Sequence, residues 1–189
     1  SETVRLSDIV LDGRDVYWVE MRPSEGGRNV IVRCSPDGQI TDITPADFNV
    51  RTRVHEYGGR SYTVDGGNVY FANFSDQRIY LQMLETDPAP ITSGSGLRFV
   101  DIIVDGRRNS LICVCEDHSG RQAEPENKVI LLDLKEAGRS AGQSMKVLAS
   151  GSDFYASPSL SPDGSQIAWL AWDHPNMPWD GTRLWVAHL

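Results

Sequence analysis

An Asp-Gly pair stands ahead of a strand-like run four times in this chain. Asp12-Gly13 precedes Val16-Tyr17-Trp18-Val19, Asp65-Gly66 precedes Val69-Tyr70-Phe71-Ala72, Asp105-Gly106 precedes Leu111-Ile112-Cys113-Val114, and Asp163-Gly164 precedes Ile167-Ala168-Trp169-Leu170. The pairs lie 53, 40 and 58 residues apart. Asp-Gly supplies the backbone that a tight hairpin needs, because glycine accepts the positive φ that closes the turn. The last copy lies in Ser161-Pro162-Asp163-Gly164, where proline also presets the second turn position. A hairpin signal recurring at roughly 40 to 50 residues is the pattern of a propeller, with insertions taken up in loops.

Flanking runs complete each unit. The first holds Leu6–Leu11, Val16–Glu20, Asn29–Arg33 and Gln39–Ile43, with Met21–Arg28 as a loop and Ser35-Pro36-Asp37-Gly38 as a turn. The second holds Arg60–Val64, Asn68–Ala72, Arg78–Met83 and Pro90-Ile91. The third holds Val100–Val104, Ser110–Cys115, Lys128–Leu132 and Met145–Leu148. The fourth holds Ser157–Leu160, Gln166–Trp172 and Arg183–His188, leaving that unit one strand short. No helical period is sustained over 11 residues; Leu134–Ser144 is interrupted by Gly138 and Gly142 and reads as a loop or a short helical turn. The expected fold is therefore an all-β, partial β-propeller of about four blades of four antiparallel strands, the last incomplete, with blades near 5–45, 53–92, 98–149 and 154–189. A β-sandwich is the rival, but it would not require the Asp-Gly pair at one place in every unit.

Charge and composition exclude several functions. The 189 residues carry a formal charge of −8 and are 40% hydrophobic. A nucleic-acid binder needs a basic face, and no apolar run approaches the roughly 20 residues of a membrane span, so neither partner is expected. The start has no signal-peptide pattern and no initiator Met, so the chain is expected to begin inside a longer protein or after a removed tag. Three cysteines do not make a disulfide framework. Cys113 and Cys115 share one face of a strand, read as buried thiols in a reducing, cytoplasmic setting. In that setting Asn73-Phe74-Ser75 is a chance match to a glycosylation site. No metal or other cofactor is expected: His118 and His174 have acidic neighbours but lack ligand spacing.

Two motifs carry a family resemblance. Val54-His55-Glu56-Tyr57-Gly58-Gly59, followed by Ser61-Tyr62, is one. Trp172-Asp173-His174-Pro175-Asn176-Met177-Pro178-Trp179-Asp180-Gly181-Thr182, followed by Leu184-Trp185, is the other. Both resemble the amino-terminal propeller of prolyl-oligopeptidase-family serine peptidases, in the acylaminoacyl-peptidase and dipeptidyl-aminopeptidase-like branch. The resemblance implies a carboxy-terminal α/β-hydrolase domain as partner, short peptides as substrates, and a propeller that gates access to them. The hydrolase triad has no counterpart here, since no Gly-x-Ser-x-Gly elbow and no alternation of strands with long helices occurs. No catalytic residue is assigned, and the chain alone is expected to be inactive. Other readings are a stand-alone propeller acting as a protein-interaction module and a carbohydrate-active propeller.

Antiparallel blades place the long loops at one end and the Asp-Gly turns at the other. The loop-bearing end gathers Met21–Arg28, Val54–Gly59, Asn73–Gln77, Glu116–Asn127 and Asp173–Gly181. Loops on a rigid scaffold are where function concentrates, so the candidate substrate contacts are Glu56, His55, Tyr57, His174, Trp179 and Asp180. Glu56 is read either as an acceptor for a peptide amine or as a partner of Arg53 or Arg60, and His55 either as a contact or as a structural histidine. Trp169 and Trp185 are expected in the core, with Trp172 and Trp179 packing the loop down. The rim is expected to be acidic, through Glu20, Glu56, Asp76, Glu116, Asp117, Glu124, Glu126, Asp173 and Asp180 against Arg22, Arg28, Arg121, Arg53 and Arg60. A partial ring should also expose apolar blade faces and self-associate through them.

Overall fold

Four antiparallel sheets follow one another along the chain, each built from strands in sequence order. The computed structural model describes residues 3–94, 96–120, 124–136 and 145–189; Arg121, Gly138 and Gly142 lie outside them. The first sheet comprises β1 (Arg5–Asp12), β2 (Asp15–Arg22), β3 (Arg28–Cys34) and β4 (Ile40–Asp42). The second comprises β5 (Tyr62–Asp65), β6 (Asn68–Ala72), β7 (Ile79–Gln82) and β8 (Ala89–Pro90). The third comprises β9 (Leu97–Asp105), β10 (Ser110–Asp117), β11 (Glu126–Asp133) and β12 (Met145–Ser150). The fourth has three strands, β13 (Phe154–Leu160), β14 (Gln166–Trp172) and β15 (Arg183–His188). A short 3-10 turn opens the segment read as a loop, at Leu134–Glu136. No helix among the described residues is long and apolar enough to cross a membrane.

The first strand of each sheet touches the first strand of the next, so β1, β5, β9 and β13 line the axis of a β-propeller. Side-chain alternation builds the core between blades. Val69 and Phe71 of β6 pack toward the first blade with Tyr17, Val19 and Ile31. Tyr70, one residue between them, packs the other way, against Phe99, Ile102 and Leu111. In β10, Leu111, Cys113 and Cys115 face the second blade while Ile112 and Val114 face the fourth with Ile167 and Trp169. A central strand covered on both faces reads as a continuous apolar run, which is why Leu111–Cys115 shows no polar alternation. Burial raises both of its thiols, Cys115 to about 12.

The Asp-Gly turns are also fastened to one another in two pairs. The Asp12 carboxylate accepts from Gly66 N at 3.1 Å and Gly67 N at 2.7 Å, fastening the first blade to the turn of the second. Arg108, ion-paired to buried Asp105, donates to Gly164 O at 3.0 Å, joining the third turn to the fourth. Nearer the axis, the inner strands bulge at Asp8, Asp101 and Ser157, three non-glycine residues with φ of 52°, 54° and 53°. Asp101 accepts from Arg60 N at 3.2 Å and from Ser157 N at 2.7 Å, so one carboxylate ties together three blades.

The outward faces of the first and last blades are apolar and uncovered. Leu6, Ile9 and Leu11 are exposed on β1, and Leu184 and Val186 on β15.

Candidate functional site

The loop-bearing end is organised by a turn at residues 54–57, which leads into the second blade and packs on the third and fourth. Val54 is buried in the interface between the third and fourth blades. His55 and Glu56 then adopt φ of 53° and 63°, two consecutive non-glycine residues in the left-handed region. Each such residue costs on the order of 1 kcal/mol or more and persists only where its surroundings hold it. Here Glu56 N donates to Arg53 O at 2.9 Å and Gly58 N to Val54 O at 2.9 Å. His55 N donates to Glu116 Oε1 at 3.0 Å. Gly59 has no room for a side chain, since a Cβ would meet Val100 Cγ2 at 2.6 Å.

Glu116, at the end of β10, is the centre of the site. Its side chain is 4% exposed. Besides His55 N, it accepts from Arg98 Nη1 at 3.3 Å and pairs with His118 Nε2 at 2.8 Å. Arg98 in turn donates to Arg53 O at 2.9 Å and to Glu56 Oε1 at 2.8 Å. Glu56 therefore pairs with Arg98, not with Arg53 or Arg60 as its local sequence suggested. The Arg98 hydrogen bond holds the Glu56 carboxyl below its ordinary pKa, and its side chain remains 80% exposed.

An aromatic cluster lies beside this network. The His55 ring meets Tyr57, Phe154 and Trp172 with centroids 5.7, 5.2 and 5.8 Å away. Phe154 stacks on Trp172 at 5.4 Å and touches His174 at 4.9 Å. His55 Nδ1 lies 3.5 Å from the Tyr57 hydroxyl. His55 Nε2 and Asn127 Oδ1 are both buried without a hydrogen bond of ordinary length, although Asn127 stands close enough to favour a charged imidazole. Desolvation outweighs that and lowers the His55 pKa, keeping the ring neutral. His174 is fastened by Asp153, which accepts from its backbone at 2.8 Å and contacts Nδ1 at 2.9 Å.

Of the six residues singled out from the sequence, His55, Tyr57 and His174 share the aromatic cluster and Glu56 joins the adjoining ion network. Trp179 and Asp180 stand apart. Trp179 is 76% exposed and makes no ring contact with another described residue, and Asp180 accepts from Met177 N at 3.2 Å within its own loop. Trp172, read as loop packing, is core, while Trp185, read as core, is 47% exposed. Sequence reasoning missed Arg98, Phe154, Asn127 and Asp153. No group of three or more possible metal ligands occurs among the described residues. Much of the expected acidity of the rim is neutralised in place: Glu20 pairs with Arg22, Asp117 and Glu126 with Lys128, and Asp173 with Arg183.

Solved structures share this fold. A Mycobacterium tuberculosis puromycin-hydrolysing peptidase is 37% identical over 98% of the chain, with a TM-score of 0.86. A puromycin hydrolase is 35% identical over 100% of the chain, with a TM-score of 0.88. The chain is a propeller segment of the prolyl-oligopeptidase family. It spans 30% and 31% of the length of those two relatives. An acylaminoacyl peptidase from Pyrococcus horikoshii, 15% identical with a TM-score of 0.61, shares the fold. No family model and no curated protein matches the chain. The blades form the scaffold, and the loop-bearing end carries the strained Glu56 turn.

Proposed function

We propose that this chain is the non-catalytic, substrate-selecting propeller of a serine peptidase that cleaves short peptides with a free amino terminus. The observation that carries the reading is the 35–37% identity, over essentially the whole chain, to the propeller third of two puromycin-hydrolysing enzymes. The nucleophile belongs to an α/β-hydrolase domain elsewhere in the protein, and the loop-bearing end faces it. In this reading the propeller limits entry by size and supplies polar contacts to the incoming peptide, and the whole protein works in the cytoplasm, where the buried thiols stay reduced.

Glu56 is the amine acceptor. It projects from a backbone conformation that four hydrogen bonds enforce. One of its oxygens is engaged by Arg98, and the carboxylate retains lone pairs for a peptide ammonium group. His55 and Tyr57 form the wall beside it, with His174 behind. Trp179 and Asp180 are peripheral contacts on the same rim.

The test is Glu56→Gln in the full-length enzyme, assayed on aminoacyl substrates with free and with acetylated amino termini. A fall in kcat/KM of about tenfold or more, confined to the free-amine substrates, supports the assignment, because it is the size expected from one charge-assisted hydrogen bond. An equal fall on both classes makes Glu56 a structural residue, and no fall removes it from the site.

A further inference from the structure

A second polar site lies at the same end of the molecule, on the first blade. An open cavity of about 580 Å³ is lined by Arg5, Ser7, Asn29, Arg51 and the Gly26-Gly27 backbone, with Leu6 and Met21 beside them, and no carboxylate lines it. In a chain of net charge −8, a cavity walled by two guanidinium groups and no acid stands out. Among the described residues, neither the Arg5 nor the Arg51 side chain has a hydrogen-bonding or ion-pair partner. Elsewhere on this end Arg22, Arg28 and Arg98 are all ion-paired.

The strand-like segment that carries Arg51 is fixed from both sides. Val50 bridges Asn73, Arg51 N donates to Ala72 O at 3.2 Å, and Arg53 N donates to Gln77 Oε1 at 2.8 Å. Val50, Thr52 and Val54 point inward and are buried, so Arg51 and Arg53 both point out. Both guanidinium groups rest on the Phe74 ring, 5.1 and 4.3 Å from its centroid. Stacking on an aromatic face holds a guanidinium without using its N–H donors, leaving the fork free for a planar bidentate acceptor. The ring thus preorganises two arginines and spends none of their hydrogen bonds.

A carboxylate fits this fork, and the chain's overall negative charge disfavours polyanions at longer range. We propose that the Arg5–Arg51 cavity is a carboxylate-binding site, with Arg53 beside it, that takes the free C-terminal carboxylate of a short peptide. The choice of a peptide as carrier rests on the peptidase reading; the carboxylate chemistry does not.

The site is tested by NMR on this chain, following the arginine Nε–H signals during titration with N-acetyl-triglycine, with N-acetyl-triglycine amide, and with inorganic phosphate. The acetylated probes lack the amine that Glu56 would accept, so the outcome is independent of that assignment. Saturable shifts at Arg5 and Arg51 are expected with the acid, and binding of the amide about tenfold weaker or less. The double variant Arg5→Gln, Arg51→Gln should lose binding by a similar factor, and Arg51→Lys, which keeps the charge but not the fork, should weaken it severalfold. Equal binding of acid and amide, undiminished binding in a folded double variant, or tighter binding of phosphate than of the acid would overturn the proposal. Carboxylate binding by this chain together with a full-length protein inert toward peptides would sink the peptidase reading and leave the site standing.

Discussion

Removing the Glu116 carboxylate should unfasten the whole loop-bearing end. It is a 4% exposed acid with three donors: His55 N at 3.0 Å, Arg98 Nη1 at 3.3 Å and His118 Nε2 at 2.8 Å. Glu116→Ala leaves the His55 amide without its acceptor and half-buried Arg98 with Arg53 O and, for its charge, only the exposed Glu56 carboxylate. Breaking a buried charge pair from one side costs about 3–5 kcal/mol; Arg98 keeps some access to water, so the lower end, about 3 kcal/mol, is expected here. Glu116→Gln retains an acceptor for His55 and loses only the charge, so it should cost about 1–2 kcal/mol. Urea unfolding of this chain at neutral pH reads both values from the shift in midpoint at constant slope. Glu56→Ala is the control: its 80% exposed side chain should leave the midpoint where it was. A cost below about 1 kcal/mol for Glu116→Ala, or equal destabilisation of the glutamine and alanine variants, would refute this role for Glu116.

Two further outcomes are expected. Burial raises the Asp8 pKa, so its ionised form is less welcome in the folded chain than in the unfolded one. Asp8→Asn, which tolerates the φ of 52°, should therefore raise the unfolding midpoint at pH 7, with the gain fading as pH falls through the raised folded-state pKa and gone below the ordinary aspartate range near 4, and a loss at pH 7 would contradict this. The uncovered faces carrying Leu6, Ile9 and Leu11 and carrying Leu184 and Val186 should make this chain self-associate as its concentration rises; light scattering that reports a monomer throughout, or association undiminished by Leu6→Glu with Leu184→Glu, would count against it.

The periodic turn and the strands behind it were legible because hairpin chemistry is local: Asp12-Gly13, Asp65-Gly66, Asp105-Gly106 and Asp163-Gly164 each sit between two strands of one sheet. The inner bulges were not, since they form at non-glycine residues, where the usual glycine mark of a positive φ is missing. A signal did exist. Asp8 and Asp101 each stand four residues before the aspartate of an Asp-Gly pair, and both mark a bulge. Glu56 was legible as a rim residue, but its partner was not, because Arg98 is 42 positions away on another blade while Arg53 and Arg60 are close in sequence. Trp185 was misplaced for a related reason. It lies opposite buried Trp169 and shares its face, yet it sits on β15, the outermost strand of a three-stranded sheet. Pairing on a strand can be read from alternation, whereas burial depends on what flanks the sheet.

The most direct test of the proposed function is hydrolysis by the full-length protein across a ladder of peptides, from dipeptides to chains of about 30 residues, beside the same assay on this segment alone. The expected result is turnover of the short, free-amine peptides that a serine-directed inhibitor abolishes, falling away as length increases, with no turnover by the segment. Cleavage that is indifferent to peptide length, or a full-length protein that leaves every peptide intact, would contradict the reading of this chain as the substrate-selecting propeller of a peptidase.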